Sequence, residues 1–126
     1  MYHVLSSPPT RSPARRRSRS RRGCDNVIAL VAQKKNLSIR SLTHAGRGRL
    51  PIARARQLAM YLSHVVLGHT LMEIGNIFGR DRTTVSYACA LIEDMRDDPV
   101  FDAEVTSLER QIEAAIGAEE AIEHAA

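Results

Sequence analysis

The stretch from Thr70 to Met95, TLMEIGNIFGRDRTTVSYACALIEDM, constrains this chain more than any other. Thr70 followed by Glu73 forms a capping box: the hydroxyl accepts from the amide three residues on, and the carboxylate reaches back to the cap amide. A helix therefore begins at Leu71. Leu71, Ile74, Ile77 and Phe78 lay one apolar stripe along it, and Gly75 leaves room for another helix to approach closely. Gly79 then ends it, because glycine takes the left-handed conformation after a helix without a Cβ clash.

Asp81 suits the cap of a second helix, accepting from the free amides near Thr83 and Thr84. Val85, Ala88, Cys89, Ile92 and Met95 recur at three- and four-residue steps and are expected to face inward. Arg82, Thr83, Ser86 and Tyr87 then face outward on the first turns. Two short helices joined by a tight glycine turn make a helix-turn-helix pattern, whose second helix offers its N-terminal end to the DNA major groove. The outward set suits that use, since Arg bonds guanine O6 and N7, and Ser and Thr donate or accept at base edges.

The run GNIFGRDRTTVSYAC resembles the signature of the C-terminal DNA-binding domain of the bacterial replication initiator DnaA. In that family the turn usually reads Gly-Gly-Arg-Asp-His-Thr-Thr-Val. This chain has one glycine fewer, and Arg82 stands where His is usual. The resemblance spans about residues 25–116. It implies an all-α fold, a small helical bundle containing a helix-turn-helix, related to the Trp-repressor type. It also implies binding to double-stranded DNA at DnaA-box-like sites.

A length of 126 residues supports one domain of modest core plus tails. No Gly-x-x-x-x-Gly-Lys-[Ser/Thr] phosphate loop occurs, so no nucleotide cofactor and no enzymatic activity are expected. Charge is distributed unevenly. Residues 1–23 hold seven Arg and no acid, 24–97 hold ten bases against six acids, and 98–126 hold one Arg against eight acids. A basic arm and a mildly basic middle suit a polyanion, and the acidic end does not. Cys24 and Cys89 lack metal-ligand spacing, Cys89 reading as a small buried thiol and Cys24 as a loop thiol, so no metal site is expected. Two cysteines make no disulfide scaffold, and no apolar run is long enough to span a membrane. The chain is expected in the cytoplasm, associated with the nucleoid.

Residues 1–23 are rich in Arg, Ser and Pro and too poor in apolar side chains to offset ordering. They are expected to be a disordered arm that either lies along phosphates or is simply solvated. Asp25 to Lys35 reads as a first helix, with Val27, Ile28, Leu30 and Val31 apolar and two lysines suiting its C-terminal end. Ser38 caps a second, short helix that buries Ile39 and Leu42. The loop AGRGRL follows, its arginines Arg47 and Arg49 beside glycines that offer nothing to pack on. In the resembled family an arginine of this loop enters the minor groove, a role carried here to the pair. A solvated loop is the plainer reading.

Pro51 opens the longest helix, at a position where a missing amide costs little. At about 100° per residue Ile52, Ala55, Ala59, Leu62 and Val66 share one stripe, with Arg54, Gln57, Tyr61 and His64 opposite. The family pattern Ala-Arg-Pro-Arg-Gln matches Ala53-Arg54-Ala55-Arg56-Gln57, which implies that Arg56 and Gln57 contact phosphates or base edges. His64 stands where some members carry a phosphate-binding Lys, and Arg80 is a further phosphate candidate. Pro99 opens a final helix whose Val105, Leu108, Ile112 and Ile116 pack back on the bundle, or dock another protein. Beyond Gly117 an acidic, flexible tail is expected.

Three segments are therefore expected: a basic arm 1–23, a helix-turn-helix domain 24–116 and a tail 117–126. The DNA-binding set is Arg47, Arg49, Arg54, Arg56, Gln57, His64, Arg80, Asp81, Arg82, Thr83, Thr84, Ser86 and Tyr87. The alternative function is a protein-interaction adaptor that uses the bundle as scaffold and the last helix as docking surface.

Overall fold

The structure, a computed structural model, describes the backbone of residues 13–44 and 49–125 and the side chains of 21–44 and 49–122. Every regular element among the described residues is helical: α1 (Pro13–Lys35), α2 (Ile39–Thr43), α3 (Leu50–Val65), α4 (Leu71–Phe78), α5 (Arg82–Met95) and α6 (Pro99–Ala125). The all-α reading of the sequence therefore holds.

Local chemistry sets the boundaries. α1 closes with Asn36 at φ 58 and with the Leu37 amide donating to the Ala32 carbonyl at 2.8 Å. That is the bond by which a left-handed residue satisfies a carbonyl at a helix end. Ser38 caps α2, accepting from the Ser41 amide at 3.1 Å. Pro51 sits at the start of α3 as expected. Asp98 starts α6 by accepting from the Val100 amide at 3.1 Å.

α3 is the axis of the molecule, packed on α1, α2, α4 and α5. Ala55, Leu58, Ala59, Met60 and Leu62 are all buried, and so are Tyr61 and Ser63. A helix surrounded on most sides has no solvent face to reserve for polar residues. Tyr61, expected outward, is accordingly enclosed, and its hydroxyl donates to Glu93 at 2.9 Å. Val27, Ile28 and Val31 of α1, Ile74 and Phe78 of α4, and Val85, Ala88 and Ile92 of α5 complete the core with α6.

Both ends depart from expectation. The arm was expected to lack order throughout, yet the backbone is helical from Pro13, so part of it continues α1. Alanine, arginine and serine contain no helix breaker, and a helix already anchored by its core half extends at one hydrogen bond per residue fixed. Arg21 and Asp25 add an i,i+4 ion pair at 3.3 Å. Residues 1–12 lie outside the described residues. At the other end α6 runs through Gly117 to Ala125 where a flexible tail was expected. Alanine and glutamate, which dominate this end, both favour helix.

Candidate nucleic-acid interface

The helix-turn-helix is built as its sequence implies. Glu73's amide donates to the Thr70 hydroxyl at 3.1 Å, and Thr70's amide to the Glu73 carboxylate at 2.8 Å. Gly79 is left-handed, at φ 67 and ψ 36. The Arg80 amide then donates to the Gly75 carbonyl at 2.9 Å, folding the turn back onto α4. Gly75 is what allows this, because a Cβ there would stand 2.5 Å from the Arg80 carbonyl oxygen. What Gly75 accommodates is thus the backbone of the turn, where another helix was expected.

Asp81 caps α5, accepting from the Thr84 amide at 2.8 Å. That amide, followed by the Thr84 hydroxyl, holds the carboxyl below its usual range. Val85, Ala88 and Ile92 face inward and are buried. Arg82, Thr83, Thr84, Ser86 and Tyr87 are all exposed, Tyr87 by 66%. A tyrosine that far into solvent is available for contact. Five side chains of mixed donor and acceptor character therefore project from the first two turns of α5.

The other site candidates divide. Arg49 is exposed at the N-cap position of α3. Arg54 donates to the Gln57 side chain at 3.0 Å, both half-buried. Arg80 donates to the Phe78 and Gly79 carbonyls at 3.1 and 3.4 Å. Arg47 lies outside the described residues.

Two candidates are bonded within the chain. Arg56, expected at a phosphate, is buried and donates to the carbonyls of Leu42, Ser41 and His44 at 2.9, 3.1 and 3.4 Å. Its guanidinium satisfies the carbonyls that a five-residue helix leaves unpaired at its C-terminal end. Burial lowers its pKa, and the nearby charge of Arg80 lowers it further. This coupling puts the helix-turn-helix corner next to the N-terminal half of α3. His64, also expected at a phosphate, is in the last turn of α3, about 20 Å along the helix from Arg49. Its Nδ1 meets the His69 carbonyl at 2.8 Å, and since a carbonyl only accepts, Nδ1 carries the proton.

Arg96 was missed from sequence. Its guanidinium donates to Asp102 at 2.6 Å, Glu109 at 2.9 Å, the Tyr61 hydroxyl at 3.0 Å and Thr106 at 3.0 Å. Glu109 foremost, then Asp102 and Tyr61, raise its pKa. The residue locks the far end of α5 to α3 and α6. A lone arginine followed by two aspartates was the sole sequence signal, and it does not reveal partners ten residues on.

Among the described residues no group of three His, Cys, Asp or Glu is placed to hold a metal, and no helix is long and apolar enough to cross a membrane. The Cys24 thiol, expected in a loop, is instead buried within α1; it donates to Ser63 at 3.2 Å and is pushed up in pKa chiefly by burial. A buried protonated thiol of this kind is inert.

A capped helix, a left-handed glycine and a second helix with an exposed polar tip, set on an all-helical bundle, define a helix-turn-helix domain of the DNA-binding class. The family described as the bacterial dnaA protein helix-turn-helix matches residues 24–92, more than half of the chain. The chain belongs to that family. Among the solved structures similar to it are two replication proteins. One, described as a DNA replication initiation factor, has 28% identity and a TM-score of 0.71 over 79% of this chain and 30% of its own. The other, replication initiator DnaA bound to AMPPCP and single-stranded DNA, has 27% identity and a TM-score of 0.68 over 78% and 30%. The chain thus spans about 30% of the length of these initiators.

Proposed function

We propose that this domain binds double-stranded DNA sequence-selectively, at sites resembling the DnaA box, in control of replication initiation or of transcription. The observation that carries the reading is the tip of α5, where Val85 and Ala88 are buried while Arg82, Thr83, Thr84, Ser86 and Tyr87 all face solvent. Such a tip fits the major groove, where base edges present distinct donor and acceptor patterns. Asp81 holds the first turn rigid so that Arg82 starts from a fixed backbone. Arg80, with Arg54 and Gln57 on α3, supplies phosphate contacts at the flank, and Arg47 and Arg49 engage the minor groove. Arg56 and His64 hold the scaffold instead. Such binding needs no nucleotide, and it implies association with the nucleoid in the cytoplasm.

The adaptor reading loses its main support, because the α6 stripe it would use is spent on this chain's own core: Val105 and Leu108 are fully buried and Ile112 nearly so. Titration of labelled box duplex and of a shuffled duplex at two salt concentrations tests the proposal. Preference for the box is expected, and replacing Arg82 and Thr83 together with Ala is expected to cost about 2–6 kcal/mol of that preference. Equal affinity for both duplexes overturns it.

A further inference from the structure

The N-terminal turns of α1 lie at the end of α3, away from the tip of α5. α1 and α3 run antiparallel: α2, which follows α1, is tied to Arg56 early in α3, whereas Cys24 is bonded to Ser63 near its end. One residue earlier a Cβ on Gly23 would stand 3.2 Å from Leu67 Cδ1, beyond the last residue of α3. Residues 13–22 therefore continue past the end of α3, for about 15 Å. In sequence these ten residues contain six arginines, Arg15, Arg16, Arg17, Arg19, Arg21 and Arg22, and no acid. Arg80, by contrast, is close to Arg56, about 14 Å before the end of α3. The arginines of α1 thus lie about 15–30 Å from Arg80 along the α3 axis.

We propose that the arginine-rich first turns of α1 form a second, sequence-independent surface for DNA phosphates, separate from the α5 tip. The inference rests on the proposed function only in taking DNA as the polyanion. Six positive charges in ten residues, on a helix continuous with the core, give phosphate attraction without base readout. The phosphates come either from the flank of the duplex read by α5, about four to nine base pairs away at 3.4 Å each, or from a second duplex. Both sources share the same chemistry.

The test uses the full chain and a variant carrying Arg15→Gln, Arg16→Gln, Arg17→Gln and Arg19→Gln together. Glutamine keeps helix propensity while removing charge, and circular dichroism checks that the helix persists. Three probes are titrated: a duplex just holding the box, the same box with two further helical turns of about 34 Å each on both sides, and an immobilised box duplex offered a second, box-free duplex. The variant is expected to bind the short duplex within about twofold of the parent. It is expected to lose about tenfold on the flanked duplex or to lose capture of the second one, with a salt slope shallower by about 2–4 on the affected probe. Lysine at the same four positions is expected to restore both. Loss confined to the flanked duplex identifies a flank, and loss confined to capture identifies a second duplex. No change on any probe overturns the proposal, as does an equal loss on all, which would put these arginines at the phosphates of the tip. Box preference on the short duplex is scored separately, so failure of base reading and failure of this surface are told apart.

Discussion

A guanidinium placed under three carbonyls is fixed by what it would cost to remove, and Arg56 is in that position. Arg56→Ala strips donors from Leu42, Ser41 and His44 and is expected to destabilise the domain by about 3 kcal/mol, read as a lower urea midpoint at unchanged slope. Arg56→Lys keeps the charge but not the fork and is expected to recover less than half of that. Neither change is expected to alter the salt slope of DNA binding, whereas loss of a true phosphate contact lowers it by about 1. Sequence could not separate these roles, because an arginine early in a helix reads the same whether it points to solvent or under a neighbouring loop. His64 is the same kind of case, its partner five residues on in a turn rather than on its helix. Arg82, Thr83, Ser86 and Tyr87 were legible because their exposure follows from helical period alone. The inward step of Val85, Ala88 and Ile92 leaves them no other direction.

At the scale of elements the helix-turn-helix depends on two glycines for different reasons. Gly79→Ala meets no atom within 4 Å but must hold φ 67, a conformation that costs an alanine about 1–2 kcal/mol. Gly75→Ala gains about 1 kcal/mol of helix propensity, yet its Cβ would be 2.5 Å from the Arg80 carbonyl oxygen. The backbone must move, so G75A is expected to cost more than G79A in thermal melting. Because the displaced segment carries Arg80 to Arg82, G75A is also expected to weaken box binding at temperatures where the domain is still folded. The cap at Asp81 adds a pH signature. Its carboxyl lies below the unfolded aspartate value of about 3.9, so its contribution is fully present above that pH and is lost as pH falls through the folded value. Asp81→Asn caps without titrating, and is expected to flatten this acid limb of the stability curve while leaving neutral pH little changed. Caps and turn were readable because every partner lies within five residues. Helix ends were not: whether α1 starts at Pro13 or Asp25 depends on the anchorage of its core half, which composition does not report.

For the molecule as a whole the question is whether α6, which lies beyond the family match at residues 24–92, is an appendage or part of the folding unit. Leu108 and Val105 are fully buried, Lys35 of α1 meets Glu104 at 2.6 Å, and Arg96 ties Asp102 and Glu109 to the end of α5. The ion pairs are partly exposed and contribute modestly, so burial decides the matter. Leu108→Ala removes a fully enclosed side chain and is expected to cost about 2–5 kcal/mol, the range for such cavities. If α6 belongs to the unit, that loss moves the one transition of the entire domain, seen alike in helicity and in the environment of Tyr61, which lies in the interface that Arg96 closes. Ile28→Ala on α1 is expected to shift the same transition, by a similar amount. Were α6 an appendage, L108A would melt helicity early while the Tyr61 signal held, and α6 would be free to serve a partner after all. The contacts argue for the first outcome, since the buried face of α6 adjoins the core that sets the α5 tip, and loosening one is expected to loosen the other.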